Sequence, residues 1–298
     1  LLGSADALRT GGVLLNAETS LSTLATETVP LCNLCGRQGN SDRRWARLLA
    51  LPARYGVLRC RGCALRWLSP RPAPDALHVV YSAEHYFGGG DTGYAQFAAQ
   101  RLDSFAERIR QMIAEGARSV LDYGAATGEF VEIARSLGMR AEGIEFSDAA
   151  RDQAAARGLL LHAPDAEIGR FDVIHMNHVF EHVPDPLAHL KWCREHLTAH
   201  GLLWIEVPFQ FDNDLDRLRR WTGKWQPHFD AFSLHHTFFY SKRSLRLLCK
   251  RSGFHVESLT QPYAPIAGSR LRRFAGSLAR MRGNGDLLEL RARLSPTY

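Results

Sequence analysis

The chain has 298 residues, 45% hydrophobic and 23% charged, ordinary proportions for a globular protein and enough for one large domain or two modest ones. No apolar run approaches the roughly 18 residues of a membrane span, and the first residues lack the basic-then-apolar pattern of a secretory leader, so the expected compartment is cytoplasmic. The formal charge of +6 is concentrated: residues 262–298 hold seven Arg against two acids, a local +5, which reads as a basic helical tail that is either solvated or in contact with phosphate-bearing partners.

Residues 1–28 are rich in Ser, Thr, Ala and Gly with weak periodicity and read as a poorly ordered lead-in. Cys32 and Cys35, then Cys60 and Cys63, form two C-x-x-C knuckles separated by 24 residues. Each knuckle turns two thiols toward one point, and four thiolates match the tetrahedral preference of Zn2+. With every position filled by Cys the site would be closed, hence structural. Two redox C-x-x-C pairs are the competing reading. Cys193 and Cys249 sit singly in helical patterns and read as ordinary thiols.

Pro70, Pro72 and Pro74 mark a stiff linker. Tyr81, Tyr86, Phe87 and Tyr94 surround the glycines at 88–90, a hinged aromatic segment that suits either a cover over a site or core packing. Phe97, Leu102, Phe105, Ile109, Met112 and Ile113 recur at helical spacing and predict an amphipathic helix over 96–115.

Next comes a predicted strand, 119–121, followed by Asp122 and a turn bounded by Gly124 and Gly128, then a helix over 130–137. The turn lacks the three glycines of a dinucleotide fingerprint, since Ala126 and Glu129 occupy the second and third places. A strand over 140–145 ends in Glu145. Ser147 and Asp148 cap a helix reaching Arg157, and 159–161 and 171–176 are further strands. The second of these runs into Asn177, His178, Glu181, His182 and Asp185. Pro184 and Pro186 flank Asp185 and open a helix over 187–197, which Gly201 closes ahead of a strand over 202–207. Residues 208–234 form an aromatic-rich insert suited to covering a substrate. His235 and His236 follow, then a helix over 244–252 and a strand over 254–259.

The acid two residues before G-x-x-x-G, at Asp122, Gly124 and Gly128, resembles motif I of the class I S-adenosylmethionine-dependent methyltransferases. The Glu181-His182-x-x-Asp185-Pro186 block is similar to the signature of one large superfamily of these enzymes. The resemblance covers residues 118–261. It implies an α/β, Rossmann-like, seven-stranded class I methyltransferase sheet, here preceded by a small N-terminal zinc-knuckle module at 29–69 and a linker and lid segment at 70–117. It further implies S-adenosylmethionine (SAM) as cofactor, held by Asp122, Gly124, Ala125, Gly128, Glu145, Phe146, Asp165, Ala166, Asn177 and His178. Glu145, 21 residues after Gly124, would receive the ribose hydroxyls, as an acid about 20 residues on does in doubly wound folds.

A zinc module ahead of the same core is also found in C-methyltransferases that act on nucleotide-linked deoxysugars, which this chain resembles. Those enzymes carry a Tyr-x-Glu-His block, and of the aligned residues Ser233, Leu234, His235 and His236 only His236 is retained. Imidazoles titrate near neutral pH and suit proton removal, so His182, His235 and His236 are the candidate bases, with Glu181 orienting one of them or touching the cofactor. The expected activity is methyl transfer to carbon or oxygen of a small molecule, a sugar or secondary metabolite. An RNA methyltransferase gripping phosphate through the knuckle and the Arg-rich tail is the rival, and a non-catalytic scaffold is the third reading.

Overall fold

The computed structural model describes residues 24–73, 76, 94–223, 234, 236–262 and 284–295. The sequence-predicted lead-in up to residue 23, the aromatic segment at 81–93, His235 and most of the basic tail lie outside these residues.

The N-terminal region contains β1 (Thr26–Glu27), β2 (Asn40–Ser41), α1 (Arg43–Leu48), β3 (Val57–Arg59), β4 (Arg66–Leu68) and β5 (Arg71–Pro72). Asp42 starts α1 by accepting from Trp45 N and pairs with Arg66 at 2.9 Å, so one carboxylate fixes both the helix and β4. The proline-rich stretch expected as a linker instead pairs antiparallel with β1, and Arg71 bonds Glu27 at 2.7 Å.

The remainder runs α2 (Tyr94–Ala114), β6 (Ser119–Tyr123), α3 (Glu129–Ser136), β7 (Arg140–Ile144), α4 (Asp148–Ala156), β8 (Phe171–Asn177), α5 (Pro186–His196), β9 (Leu197–Pro208), α6 (Asp214–Trp221), β10 (Phe238–Phe239), α7 (Lys242–Arg251), β11 (Phe254–Thr260) and β12 (Leu287–Leu294). Caps explain several starts. Asp185 accepts from Leu187 N and Ala188 N with Pro186 in the first turn of α5, an arrangement worth about 1 kcal/mol. Ser241 and Ser244 form a capping box on α7.

The main sheet has the order β11-β12-β9-β8-β6-β7, parallel from β9 to β7, with β12 antiparallel to both its neighbours. Three sequence expectations are corrected here. The short strand expected at 159–161 is reduced among the described residues to a single bridge between Ile144 and His162; Leu159 instead packs beneath Gly128 and Leu160 is 76% exposed. Gly201 does not close a helix: β9 begins at Leu197, and the register jumps from Phe171–Leu197 to Val173–Leu202, a bulge over 198–201. Residues 287–294 of the expected helical tail are a strand inside the sheet, where Arg291 bonds Glu115 and Arg293 bonds Glu257.

Alternation along the strands sends side chains to two faces. Leu121, Tyr123, Ile174, Met176, Leu203 and Ile205 face α5 and α7, burying Cys193 and Cys249 as core thiols. The same cluster takes in Leu34, Cys60, Leu65 and Trp67 of the knuckle. Val120, Val173, Leu202 and Trp204 face the other way, onto α2 and α3. Strand β10 joins the knuckle sheet rather than the main one, pairing Phe238 with Trp67 and Phe239 with Arg66. Among the described residues no helix is long and apolar enough to cross a membrane.

Candidate functional site

From β6 the chain steps to β7 on one side and later to β8 on the other, so a crevice opens beyond the carboxyl ends of β6 and β8. The strand parity that turns Val120 and Val173 toward α2 also turns Asp122, His175, Asn177 and Glu206 that way. His175 Nδ1 lies 2.7 Å from Asp122 Oδ1, and its ring stacks on Phe130 at 4.1 Å. Asn177 Nδ2 donates to Glu206 Oε1 at 2.7 Å, and Asn177 Oδ1 accepts from Arg101 at 2.6 Å. Arg108 bonds Glu206, lies 3.2 Å from Glu289 and 3.4 Å from His175 Nε2. Burial pushes both buried acids up. His175 only partly offsets this for Asp122, which stays raised, whereas Arg108 and His178 leave Glu206 below its ordinary range.

The turn after β6 is held in left-handed backbone, Gly124 at φ +82° and Gly128 at φ +90°. Added side chains there would strike others already close: Val179 Cγ2 lies 2.3 Å from a Cβ built at Gly124, and Leu159 Cδ2 lies 2.2 Å from one at Gly128. The glycines therefore let the turn close onto protein side chains, and through Val179 they bring it against the turn that follows β8. Glu145 is buried and braces the loop, its Oε2 accepting from Ala126 N at 2.7 Å and its Oε1 from Ser147 N at 2.8 Å. Burial raises its pKa, and lone pairs remain on both oxygens for further donors. Ala125 is buried, Phe146 is half exposed with its edge on Tyr123, and Asp165 is exposed beside half-buried Ala166.

A second polar group sits just past β8. His178 adopts φ +55°, a strained conformation for a residue with a side chain. Glu181 is 1% exposed, and its Oε1 lies 3.6 Å from His178 Nδ1, 3.7 Å from His182 Nε2 and 3.9 Å from His236 Nε2. These are charge contacts, longer than hydrogen bonds. His236 arrives with β10, since Phe238 N and Thr237 Oγ1 both donate to the Glu181 carbonyl, at 3.0 and 3.1 Å. Burial pushes the Glu181 carboxyl up, and His178 and His182 more than reverse this, bringing it to about 2. Burial and the neighbouring His182 pull His236 down to about 3, so its ring is neutral at pH 7.

The four knuckle thiols converge. Cys32 Sγ lies 3.5 Å from Cys63 Sγ, and Cys35 Sγ lies 3.3 Å from Cys60 Sγ and 3.9 Å from Cys63 Sγ. All six cysteines are free. A tetrahedral zinc with bonds of about 2.3 Å spaces its sulfurs about 3.8 Å apart, so the donor set fits that ion. The shortest contacts run between the two knuckles, which favours one shared centre over two redox pairs. Cys63 draws Cys32 down to about 5, while the same contact and burial push Cys63 up.

Of the residues picked from the sequence, the fold thus brings Gly124, Val179's turn, His178, Glu181, His182 and His236 to one end of the sheet, and Asp165 stands apart on the surface. Sequence reading missed Arg101, Arg108, His175 and Glu206. The signal was a charge inside an apolar run, His175 between Ile174 and Met176 and Glu206 between Ile205 and Val207, because a charge buried that way requires a partner.

Residues 94–259 match a family model described as a methyltransferase domain. No curated protein matches the sequence. Among solved structures the chain is similar to a SAM-dependent methyltransferase from Thermotoga maritima (19% identity, 66% of this chain and 90% of that one, TM-score 0.45). It is similar as well to a SAM-dependent methyltransferase from Mesorhizobium loti (18%, 64% and 99%, TM-score 0.46). A third likeness is to magnesium protoporphyrin IX methyltransferase from Synechocystis PCC 6803 (14%, 74% and 94%, TM-score 0.48).

Proposed function

The chain belongs to the methyltransferase-domain family, and from that premise we propose that it transfers the methyl group of SAM to carbon or oxygen of a small molecule, a sugar or other secondary metabolite. The observation that carries this reading is the meeting, through Val179, of the glycine turn after β6 with the imidazole-rich turn after β8. Bound SAM supplies a methyl group on a sulfonium, a leaving group that needs no acid. The chain's own tasks are then alignment, exclusion of water and removal of the acceptor's proton.

For alignment, Glu145 and the loop backbone it braces would hold the ribose, and Asn177 and His178 would flank the reacting end. For proton removal, His182 and His236 are the candidates among the described residues, and His236 is the weaker base, because burial and His182 hold it down to about 3. Glu181, ionised at neutral pH, would stabilise whichever imidazole becomes charged. We propose further that Cys32, Cys35, Cys60 and Cys63 hold a structural zinc. Of the seven tail arginines an RNA acceptor would use, Arg291 and Arg293 are engaged by Glu115 and Glu257.

The test is to incubate the full chain with methyl-labelled SAM, in parallel with a small-metabolite extract and with total RNA. Label in the metabolite fraction is expected. Label in RNA alone would overturn the small-molecule reading, and label in neither would overturn methyl transfer.

A further inference from the structure

Glu181 poses a physical problem. Its carboxylate is 1% exposed, and neither oxygen has a hydrogen-bond partner among the described residues. A buried anion without hydrogen bonds is costly and normally marks something that belongs beside it. Three imidazole nitrogens surround Oε1 at 3.6, 3.7 and 3.9 Å, too far to donate to it and close to equidistant. The donor atoms of Glu181, His182 and His236 all lie within 4.8 Å of one another. A first-row ion bonding nitrogen and oxygen at about 2.0–2.2 Å in a tetrahedron sets its donors about 3.3–3.6 Å apart, close to the 3.7 and 3.9 Å that separate Glu181 Oε1 from His182 Nε2 and His236 Nε2.

We propose that Glu181, His182 and His236 form a three-donor binding site for a first-row divalent cation, distinct from the four-cysteine centre and with its fourth position open. Two imidazoles and one carboxylate suit Zn2+, Co2+ or Fe2+ and not Mg2+, which takes oxygen ligands. The surroundings fit a metal site in two further respects. His236 Nδ1 lies 3.2 Å from the Gln210 amide, whose oxygen is otherwise unpartnered; with the amide turned over, that oxygen accepts from Nδ1–H and leaves Nε2 facing Glu181 as a ligand. The segment that carries His236 is also fixed in place, by the two bonds to the Glu181 carbonyl. On the methyl-transfer reading, on which this sentence alone rests, a cation there would ease deprotonation of an acceptor hydroxyl and would replace His182 and His236 as the bases, since a ligated nitrogen cannot also take a proton.

The experiment is a Co2+ titration of the full chain after dialysis against EDTA, followed by metal analysis and visible spectra, with S-adenosylhomocysteine binding and circular dichroism recorded on every sample as folding controls. Wild type is expected to take up one exchangeable Co2+ beyond the ion held by the cysteines, with visible bands that lack the intense near-ultraviolet absorption of thiolate ligation. His182→Ala and His236→Ala should lose that equivalent while keeping the cysteine-bound ion, and Gln210→Ala should weaken it roughly 10- to 100-fold. Absence of an exchangeable equivalent in folded wild type, or its survival in both histidine variants, would overturn the proposal. Neither result touches methyl transfer, which the labelling assay reads separately.

Discussion

Two groups of donors converge in this chain, and they differ in how they are built. The cysteine cluster is all sulfur, with three of its four members buried, and is assembled from two local C-x-x-C turns. The Glu181 cluster mixes carboxylate and imidazole, leaves its histidines partly exposed, and depends on His236 being carried to the turn after β8 by β10. A closed sulfur set is suited to holding structure together, whereas a half-open nitrogen and oxygen set can receive a ligand. The two are linked: β10 pairs with β4 of the knuckle on one side and bonds the Glu181 carbonyl on the other.

That linkage gives the largest expected effect. Structural zinc sites contribute about 10–16 kcal/mol of binding energy to folding. Stripping the cysteine-bound ion from the full chain should therefore unravel the knuckle sheet, read as loss of its amide protection in hydrogen exchange. Protection should fall at Phe238 and Phe239 as well and persist in β6 and β8. Retained protection at β10 in the stripped protein would show that the clusters are independent.

A third buried anion sharpens the contrast. Glu206 has the guanidinium of Arg108 where Glu181 has only distant imidazoles. Arg108→Met should destabilise by about 3–5 kcal/mol, because it strands a buried charge, and Arg108→Met with Glu206→Gln should recover most of that loss in denaturant unfolding. If the double variant is no better than the single one, Arg108 acts through packing on Trp204 rather than through charge.

Acid separates loss of ligands from ordinary titration. Burial holds His189 down to about 4, so between about pH 6.5 and 4 the unfolded chain binds a proton there that the fold does not. Its folded pKa is depressed, hence the contribution is complete above about pH 6.5 and is lost as pH falls, by about 3 kcal/mol at pH 4. His189→Phe should flatten this part of the stability profile. The acid sensitivity that remains belongs to the carboxylates held below their ordinary range, Glu181, Glu206, Asp172 and Glu115.

Much of the methyltransferase core was legible because its signals are local: a buried apolar run in β6, a glycine turn, an Asp185-Pro186 helix start. The errors came where local signals compete. In β12 the apolar Leu288, Leu290 and Ala292 alternate with Glu289, Arg291 and Arg293, a strand pattern hidden by counting the tail's charge in bulk. Gly201 reads as a helix stop, yet it sits in a bulge whose existence depends on pairing with β8. The three imidazoles around Glu181 were each named from the sequence, but their convergence was not, since residue 236 is brought there by a strand that pairs with the knuckle.

The account rests on the glycine turn holding SAM, and calorimetric titration of the full chain with S-adenosylhomocysteine tests this most directly. One molecule should bind per chain in wild type, with binding lost in Gly124→Val, whose added side chain meets Val179 in left-handed backbone. Absence of binding to folded wild type, or equal binding by a folded Gly124→Val, would contradict it.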